Sequence, residues 1–253
     1  MKNNLSVIII CKNEASRIRS CLESVKWADE IVVVDSGSTD NTLEIVQEYT
    51  DRISINADWP GFGPQKKLAE DLASFDWVLS IDSDEVISEE LRDEIQSVLI
   101  NANDTTVYRL NRLTHFCGKF IHHSGWYPDR ITRLYNKKNY HFNSAAVHES
   151  VECRGAKKID LKGNLLHYTF QTLDVYIDKR NSYAKAWAKS QFEKKRRVSI
   201  AGLLTRTLFS FVRHYLLKKG FLDGYQGLLI SVIQMQYTFN KYNYLLFMQR
   251  EEC

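Results

Sequence analysis

The chain has 253 residues, of which 44% are apolar and 26% charged, and its formal net charge is +3. This length suits one large α/β domain with an appendage, and the 3 prolines and 11 glycines argue against long flexible linkers. The five cysteines form no CxxC pair, which argues against a zinc site or a disulfide framework and favours reduced thiols in a cytoplasmic protein. Uncharged apolar stretches of about 18 residues are absent, and no cleavage pattern follows the first apolar run. We therefore expect neither a spanning helix nor a signal peptide.

Short apolar runs alternate with helical patterns in the N-terminal part of the chain. The runs predict strands at Leu5–Cys11, Ile31–Asp35, Ile53–Ala57 and Trp77–Asp82. Apolar residues at helical spacing follow these runs, with starts at Ile18, at Thr42 behind a cap at Asp40 or Asn41, after a turn at 61–64, and behind a cap at Ser88. This alternation predicts an α/β fold with a mostly parallel, doubly wound sheet flanked by helices.

The pattern changes after about residue 104. Strands at Thr106–Leu113, Ile131–Tyr135 and Ile159–Leu166 are predicted among polar loops, and from Leu173 onward the pattern is helical. We therefore predict a sheet domain at 1–170, with halves at 1–104 and 105–170, and a C-terminal helical extension at 171–253.

Carboxylates stand where two of the buried strands end. Asp35 closes the second strand, and Asp82, Asp84 and Glu85 close the fourth. The carboxyl edge of a parallel sheet is where open α/β folds bind ligands. Two acids separated by one residue can share a divalent cation such as Mg²⁺ or Mn²⁺, which bridges to phosphate oxygens. The pattern predicts a phosphate-bearing, nucleotide-like substrate held through a metal.

Two further polar segments carry weaker signals. Lys12-Asn13-Glu14 leaves the first strand at the same edge, although a polar strand exit is common. Gln65-Lys66-Lys67 opens a helix after the glycine-containing turn. A lysine there could contact a diphosphate, or the segment could be only a solvated helix start.

Four motifs together resemble family 2 glycosyltransferases with the GT-A fold. They are Cys11-Lys12-Asn13-Glu14, the run from Val34 to Asp40, the run from Gly61 to Lys66, and Asp82-Ser83-Asp84-Glu85. The chain looks in particular like the small bacterial branch that adds glucose to the first heptose of the lipopolysaccharide inner core. The stretch Gly220–Gly227, which reads GFLDGYQG, also recurs in that branch.

The resemblance implies roles for individual residues. Asp35 would contact the uracil or ribose of a UDP-sugar, with Asn13 and Glu14 in the same pocket, Asp82 facing the ribose and Lys66 near the diphosphate. Asp84 would hold the metal, Mg²⁺ or Mn²⁺, with Glu85 beside it. Residues 1–104 would then form the nucleotide-sugar half and 105–170 the acceptor half.

Inverting transfer also needs a base for the acceptor hydroxyl. By order along the chain, Glu149 matches the place where this family keeps its base, with Asp129 as second candidate and His148 as third. Glu149 could instead simply pair with a nearby arginine. His167 is a candidate metal ligand or a structural histidine. Arg130 and Arg133 could grip acceptor phosphates, with His148 nearby, although Arg133 could be an outward strand residue.

The C-terminal region is basic. Between Lys185 and Lys219 there are ten Lys or Arg residues and one acid, Glu193. Apolar residues from Leu203 to Leu216 follow the densest cluster, Lys194–Arg197, and predict an amphipathic helix that contacts an anionic membrane or else packs on the catalytic domain. Leu228–Phe247 is apolar but interrupted by polar residues, which favours a packed or interfacial helix, or a homodimer interface, over a membrane span.

These observations predict a metal-dependent inverting glycosyltransferase, peripheral to the cytoplasmic face of the inner membrane. The resemblance implies that it moves a sugar, most simply glucose from UDP-glucose, onto a heptose of the lipopolysaccharide inner core, an anionic glycolipid acceptor. Another UDP-sugar transferase acting on a lipid-linked or cell-surface polysaccharide is the nearest alternative. A sugar nucleotidyltransferase would carry a glycine-rich loop where Asn13–Arg17 stands, and a nucleic-acid-binding protein would not explain the strand-end carboxylates, so no nucleic-acid partner is expected.

Overall fold

The computed structural model describes residues 3–146, 149–169 and 172–251. It contains two compact units. The first comprises the chain up to Arg112 together with Asp129–His167, and the second comprises Leu113–Pro128 together with the chain from Tyr168 onward. The predicted division at 170/171 therefore lies close to one observed division. Leu113–Pro128, which we assigned to the sheet domain, instead groups with the C-terminal helices.

A mixed sheet forms the centre of the first unit. The strands of the chain are β1 (Leu5–Cys11), β2 (Glu30–Asp35), β3 (Ile53–Ile55), β4 (Trp77–Asp82), β5 (Glu85–Ile87), β6 (Thr106–Phe116), β7 (Lys119–Phe120), β8 (Asp129–Asn136), β9 (His141–Phe142), β10 (Val151–Glu152) and β11 (Lys157–His167). The order across the sheet is β3-β2-β1-β4-β8-β6-β11-β5, while β9 and β10 pair separately. Strands β1 to β4 run parallel, and β8 joins β4 antiparallel. This arrangement confirms the predicted mostly parallel α/β sheet.

Both faces of the parallel sheet are buried. Along β1, Val7 and Ile9 belong to one apolar cluster, whereas Ile8 and Ile10 belong to another. Successive side chains of a strand point to opposite faces, so a continuous apolar run is what a strand covered on both sides requires. The helices of this unit are α1 (Ile18–Val25), α2 (Thr42–Gln47), α3 (Phe62–Leu72) and α4 (Glu89–Leu99).

Several local predictions are refined by the structure. Ser88 caps α4, because its Oγ accepts a hydrogen bond from the Leu91 amide at 3.2 Å. Residues 63 and 64 lie in the first turn of α3 and do not form a separate turn before it. The short strand β5 was not predicted, since its three residues carry no periodicity of their own.

The second unit is mostly helical. Its helices are α5 (Leu173–Glu193), α6 (Ile200–Val212) and α7 (Tyr225–Glu251), with a π-helical turn at Arg213–Leu217 and a 3₁₀ turn at Gly220–Asp223. Phe116 and Ile121, on either side of β7, pack with Tyr176, Ile230 and Ile233. That contact explains why Leu113–Pro128 groups with the helices. Within the described ranges, every helix is too short or too polar to cross a membrane.

Gly227, at the start of α7, allows a close backbone approach. A Cβ at this position would lie 1.8 Å from the carbonyl oxygen of Gly220, and that backbone cannot withdraw without unwinding its turn. We expect Gly227→Ala to destabilise the protein by about 3 kcal/mol or more through overpacking. Thermal unfolding monitored by circular dichroism measures this loss.

Gly202→Ala is the matched control within α6. The atoms nearest its new Cβ would all belong to side chains: the flexible end of Arg206 at 2.8 Å, Ser199 Oγ at 3.3 Å and Val198 Cγ2 at 3.7 Å. Alanine is also the better helix former, by roughly 0.5–1 kcal/mol. This variant should be as stable as the wild type or slightly more so. Equal melting temperatures for both variants would contradict the argument from packing.

Candidate active site

The carboxyl ends of three parallel strands meet at one edge of the sheet. Cys11 at the end of β1 is in register with Asp35 of β2, and Ile10 is in register with Asp82 of β4. The chain segments that leave these strands carry Asn13, Glu14, Asp84 and Glu85. The register therefore brings the polar strand exits to a common edge, as the sequence predicts.

Asp35 is fully buried and organises the loop that follows it. Its Oδ1 accepts hydrogen bonds from the amides of Gly37 and Ser38, at 2.8 and 2.7 Å, and its Oδ2 accepts one from the Ser38 hydroxyl. The Cys11 thiol lies 3.5 Å from Oδ2, and burial, reinforced by this carboxylate, raises the pKa of Cys11 well above its usual value. Asp35 thus shapes a donor-rich loop at the sheet edge.

Asn13 and Glu14 join the first strand exit to the same loop. Asn13 has a φ of 54°. Its side-chain oxygen accepts a hydrogen bond from the Thr39 backbone amide at 2.8 Å, and its backbone amide donates one to Ser38 Oγ at 2.9 Å. Arg17 holds the Glu14 carboxylate with two hydrogen bonds of 2.8 Å. Burial raises the pKa of Glu14 despite this arginine.

Lys66 links two acids of the site. Its Nζ lies 2.8 Å from Asp82 Oδ1 and 2.8 Å from Glu149 Oε1, and the side chain is only 2% exposed. The alternative of a solvated helix start is therefore excluded. Glu149 therefore pairs with this lysine, and its charge also acts on a nearby arginine, Arg133.

Two glycines explain how Glu149 reaches α3. A Cβ on Gly63 would lie 2.3 Å from the Asn143 carbonyl oxygen, and a Cβ on Gly61 would lie 2.5 Å from Ala146 Cα. The amides of Phe62 and Gly63 donate to the carbonyls of residues 146 and 145, each at 3.0 Å. The chain leading to Glu149 therefore packs directly on the start of α3, one turn from Lys66.

Arg133 is also an internal residue of the site. It is 6% exposed, and its guanidinium lies 2.6 Å from Asp82 Oδ2 and 3.4 Å from Glu85 Oε1. The idea that it faces outward is therefore wrong, because β8 lies next to β4 and turns this side chain towards the strand-end acids.

Opposing effects set the pKa values of these acids. Burial tends to raise the pKa of Asp82, but Arg133 and Lys66 outweigh it and hold that pKa well below its usual range. Burial raises the pKa of Glu85, and Arg133 reduces this effect without cancelling it. Asp82 is thus an ionised carboxylate paired with Lys66 and Arg133, whereas Glu85 is a fully buried acid that shares Arg133 with it.

Asp84 and His167 approach each other across the sheet. His167 of β11 is in register with Glu85 of β5, which places its Nε2 3.5 Å from Asp84 Oδ2. Burial tends to raise the pKa of Asp84, but its interaction with His167 outweighs burial and lowers it. A carboxylate and an imidazole are suitable donors for Mg²⁺ or Mn²⁺ when a diphosphate and water supply the others. In the described parts of the chain, no three Asp, Glu, His or Cys side chains converge closely enough to hold a metal by themselves.

Asp129 and Arg130 lie in less central positions. Asp129 accepts two hydrogen bonds from Arg112, at 2.9 and 2.7 Å. Arg130 is 46% exposed and lies 3.0 Å from Asp160. His148 lies outside the described residues. Arg112 was missed by the sequence interpretation, although it lies 3.8 Å from Glu85.

Comparison with known proteins agrees with this architecture. The family model Glycosyl transferase family 2 matches residues 6–156. The lipopolysaccharide core biosynthesis glycosyltransferase LpsC of Rhizobium meliloti is 30% identical over 250 residues, covering 93% of this chain and 89% of LpsC. An uncharacterized glycosyltransferase of Rickettsia felis is 32% identical over 248 residues, covering 90% and 84% of the two chains.

A solved structure supports the fold. The mannosyltransferase PcManGT of Pyrobaculum calidifontis, in complex with GDP-Man and Mn²⁺, superposes with a TM-score of 0.58 at 13% identity. The match covers 98% of this chain and 88% of PcManGT. The sheet with its carboxylate-bearing edge thus has the GT-A architecture of glycosyltransferases. The chain belongs to glycosyl transferase family 2.

Proposed function

We propose that the protein is a metal-dependent inverting glycosyltransferase that moves glucose from UDP-glucose onto a heptose of the lipopolysaccharide inner core. The observation that carries this proposal is the placement of Glu149 beside the strand-end acids through Lys66. The similarity to LpsC supports the lipopolysaccharide core as acceptor. The choice of glucose rests on the family resemblance.

The donor pocket is formed by the three strand exits. Asn13 and Glu14 line it, and Asp35 is the residue we assign to the uridine. Because the Asp35 carboxylate is engaged by its own loop, the nucleotide would have to displace the Ser38 hydroxyl to bind it directly. Asp82 is held in place by Lys66 and Arg133, so it offers the ribose a fixed, ionised acceptor.

We assign Asp84 and His167 to the divalent cation. When bound, a divalent cation would offset the negative charge that develops on the departing diphosphate. Arg17 lies 3.9 Å from the same Asp84 oxygen and adds a fixed positive charge to this end of the pocket.

Glu149 then acts on the acceptor. Its carboxylate takes the proton of the attacking hydroxyl while the oxygen bonds to the anomeric carbon on the face opposite the leaving UDP, which gives a β linkage. Lys66 holds Glu149 with one charge-assisted hydrogen bond, so the base is positioned before the acceptor binds. Asp129, the second candidate, is already bound by Arg112.

We assign the binding of the acceptor's phosphate groups to exposed basic residues of β8. Arg133, one of the three residues we predicted to bind the acceptor, is committed to Asp82 and Glu85. Arg130, which is half-exposed, is therefore the better partner for an acceptor phosphate. His148, next to Glu149 in the sequence, stays a predicted acceptor-binding residue.

An apolar face on α6 and the turns after it supports contact with an anionic membrane. Its large side chains are at least 39% exposed: Ile200, Leu204, Leu208, Phe209, Val212, Leu216, Leu217, Phe221 and Leu222. Arg206, Arg213 and Lys219 lie on the same segments. Burying such a face while its basic residues meet anionic headgroups is the usual mode of interfacial helices. We therefore place the protein on the cytoplasmic face of the inner membrane, with a homodimer interface as the competing use of this face.

A thermal-shift titration tests the donor and metal assignments together. With UDP-glucose at about 100-fold above its Kd, we expect the melting temperature to rise by about 5–10 °C with Mg²⁺ or Mn²⁺ present. Asp84→Asn should lose the metal-dependent part of this rise. Asp93→Asn, an exposed acid of α4, is the control and should behave as wild type.

The outcomes separate the alternatives. A larger shift with another UDP-sugar would keep the transferase and change the donor. Shifts of equal size with and without metal would remove the cation from the proposal. Absence of any shift with nucleotide sugars would remove the donor site itself.

A further inference from the structure

A loop of the second unit closes around a buried aspartate. The amides of His122 and His123 donate to the two oxygens of Asp223, at 3.2 and 3.0 Å, and the Ser124 hydroxyl donates to Oδ2 at 3.3 Å. His123 Nδ1 lies 3.0 Å from Asp223 Oδ1. Asp223 is 1% exposed, so its charge is satisfied by this loop and not by solvent.

This contact fixes the orientation of the His123 ring. An ionised carboxylate only accepts hydrogen bonds, so Nδ1 carries a proton and Nε2 is the nitrogen left for another partner. The His123 side chain is 33% exposed. A fully buried acid thus holds a partly exposed imidazole with one nitrogen directed away from it.

The GFLDGYQG stretch explains why Asp223 stands where it does. Gly227 touches the Gly220 carbonyl, and a Cβ on Gly220 would lie 2.9 Å from Ser124 Oγ and 2.7 Å from the His214 carbonyl. The Ser124 amide donates to the Lys218 carbonyl at 2.9 Å. These close contacts lock the loop 122–124 to the turn 218–223, so the position of His123 is built into the motif.

Two lysines lie against the segments that hold this histidine. Lys119 Nζ donates to the Asp223 carbonyl at 3.0 Å, and the side chain of Lys218 passes over Gly125. Lys119, Lys218 and Lys219 are exposed, and within the described ranges none of them lies within 4.0 Å of a carboxylate oxygen. Since Asp223 is shielded, the exposed charged groups that these contacts place against the loop are Lys119 and Lys218.

We propose that His123, positioned by Asp223, binds an anionic substituent of the saccharide acceptor, with Lys119 and Lys218 adding positive charge. The ligand is a phosphate or carboxylate group, whose oxygens accept hydrogen bonds from the lysine ammonium groups and from Nε2–H of the His123 imidazolium, the form in which both ring nitrogens donate. This inference rests on the proposed function, because it names a recognition site for the acceptor of that reaction. His123 is here a binding residue, and Asp223 is its positioning residue.

The test uses an asparagine substitution. In His123→Asn the side-chain amide nitrogen replaces Nδ1 and keeps the bond to Asp223, but nothing replaces Nε2. Steady-state transfer is measured from UDP-glucose to lipid-free inner-core oligosaccharide with its phosphate and carboxylate groups intact. We expect the acceptor KM to rise about tenfold or more, the typical effect of losing a hydrogen bond to a charged group, with kcat and the donor KM little changed.

A chemically neutral acceptor provides the control. On oligosaccharide that has been dephosphorylated and carboxyl-reduced, wild type and His123→Asn should have the same acceptor KM. A wild-type KM in His123→Asn on the charged acceptor would overturn the inference and leave His123 a structural residue. An increase of equal size on the neutral acceptor would also overturn it.

Two further outcomes concern other sources of the effect. A loss seen only when anionic phospholipid vesicles are present would assign the loop to the membrane and overturn the acceptor site. Failure of the wild-type protein to transfer glucose to either oligosaccharide would remove the proposed function, and this inference with it. That result is distinct from a wild type that transfers glucose and a variant that matches it.

Discussion

Replacement of Glu149 by glutamine is expected to slow sugar transfer by about 10²–10⁴-fold while nucleotide-sugar binding is retained. Glutamine has nearly the same shape, and its amide oxygen can still accept from Lys66, which lies 2.8 Å from Glu149. It cannot take a proton from the acceptor hydroxyl. Single-turnover transfer assays measure the chemical step, and a thermal-shift titration with UDP-glucose measures binding.

Asp129→Asn is the matched control for this experiment. Asp129 is the second candidate base, but Arg112 occupies its carboxylate with two hydrogen bonds. We expect this variant to change the transfer rate by less than about tenfold. If Asp129→Asn lost transfer and Glu149→Gln kept it, the two residues would exchange roles.

Replacement of Arg133 by methionine is expected to cost about 3 kcal/mol of folding stability. Arg133 lies 3.4 Å from Glu85, whose side chain is completely buried, and it also binds Asp82. Without Arg133, Glu85 would keep only the more distant Arg112, at 3.8 Å, and a buried charge that loses its nearer partner costs more than the pair contributes. Denaturant unfolding gives the free energy of unfolding directly.

Arg130→Met tests the same change three residues earlier on the same strand. Arg130 is 46% exposed and pairs with Asp160, so its loss should cost less than about 1 kcal/mol. The double variant Arg133→Met/Glu85→Gln should recover part of the lost stability, because glutamine removes the buried carboxylate charge that Arg133 had balanced. Equal losses for Arg130→Met and Arg133→Met would show that burial of the charge network contributes nothing.

The sequence was sufficient for the strands that carry the site. Buried parallel strands can be recognised in a sequence as continuous apolar runs, and the acids at their carboxyl ends then lie at one edge of the sheet. Asp35, Asp82 and Asp84 could be placed in this way. The motif resemblance gave the fold and the family, and both are confirmed.

Pairings between distant segments could not be predicted in the same way. Lys66 and Glu149 are separated by 83 positions, and their contact depends on a loop that packs against Gly61 and Gly63. Arg133 lies in β8, where polar and apolar residues are mixed, so the sequence does not show which face of the strand is buried. The partner of the Arg133 side chain is decided by the pairing of β8 with β4. Local patterns specify elements, whereas these contacts depend on how the elements pair.

Leu113–Pro128 shows the same limitation for domain boundaries. This segment has no compositional break from the strands around it, yet Phe116 and Ile121 pack with the C-terminal helices. The GFLDGYQG stretch had no assignable role in the sequence. Its aspartate acquires one only because the fold brings it against residues 122–124, about 100 positions away.

The antiparallel pairing of β5 with β11 has a consequence for which length changes the protein tolerates. Leu165, Leu166 and His167 are matched one to one with Ile87, Val86 and Glu85. A single residue added or removed within this part of β11 would turn the imidazole to the opposite face of the sheet and part it from Asp84. Insertions and deletions among related chains should therefore occur in the turn at 153–156, whereas the spacing between Leu165 and His167 should stay constant.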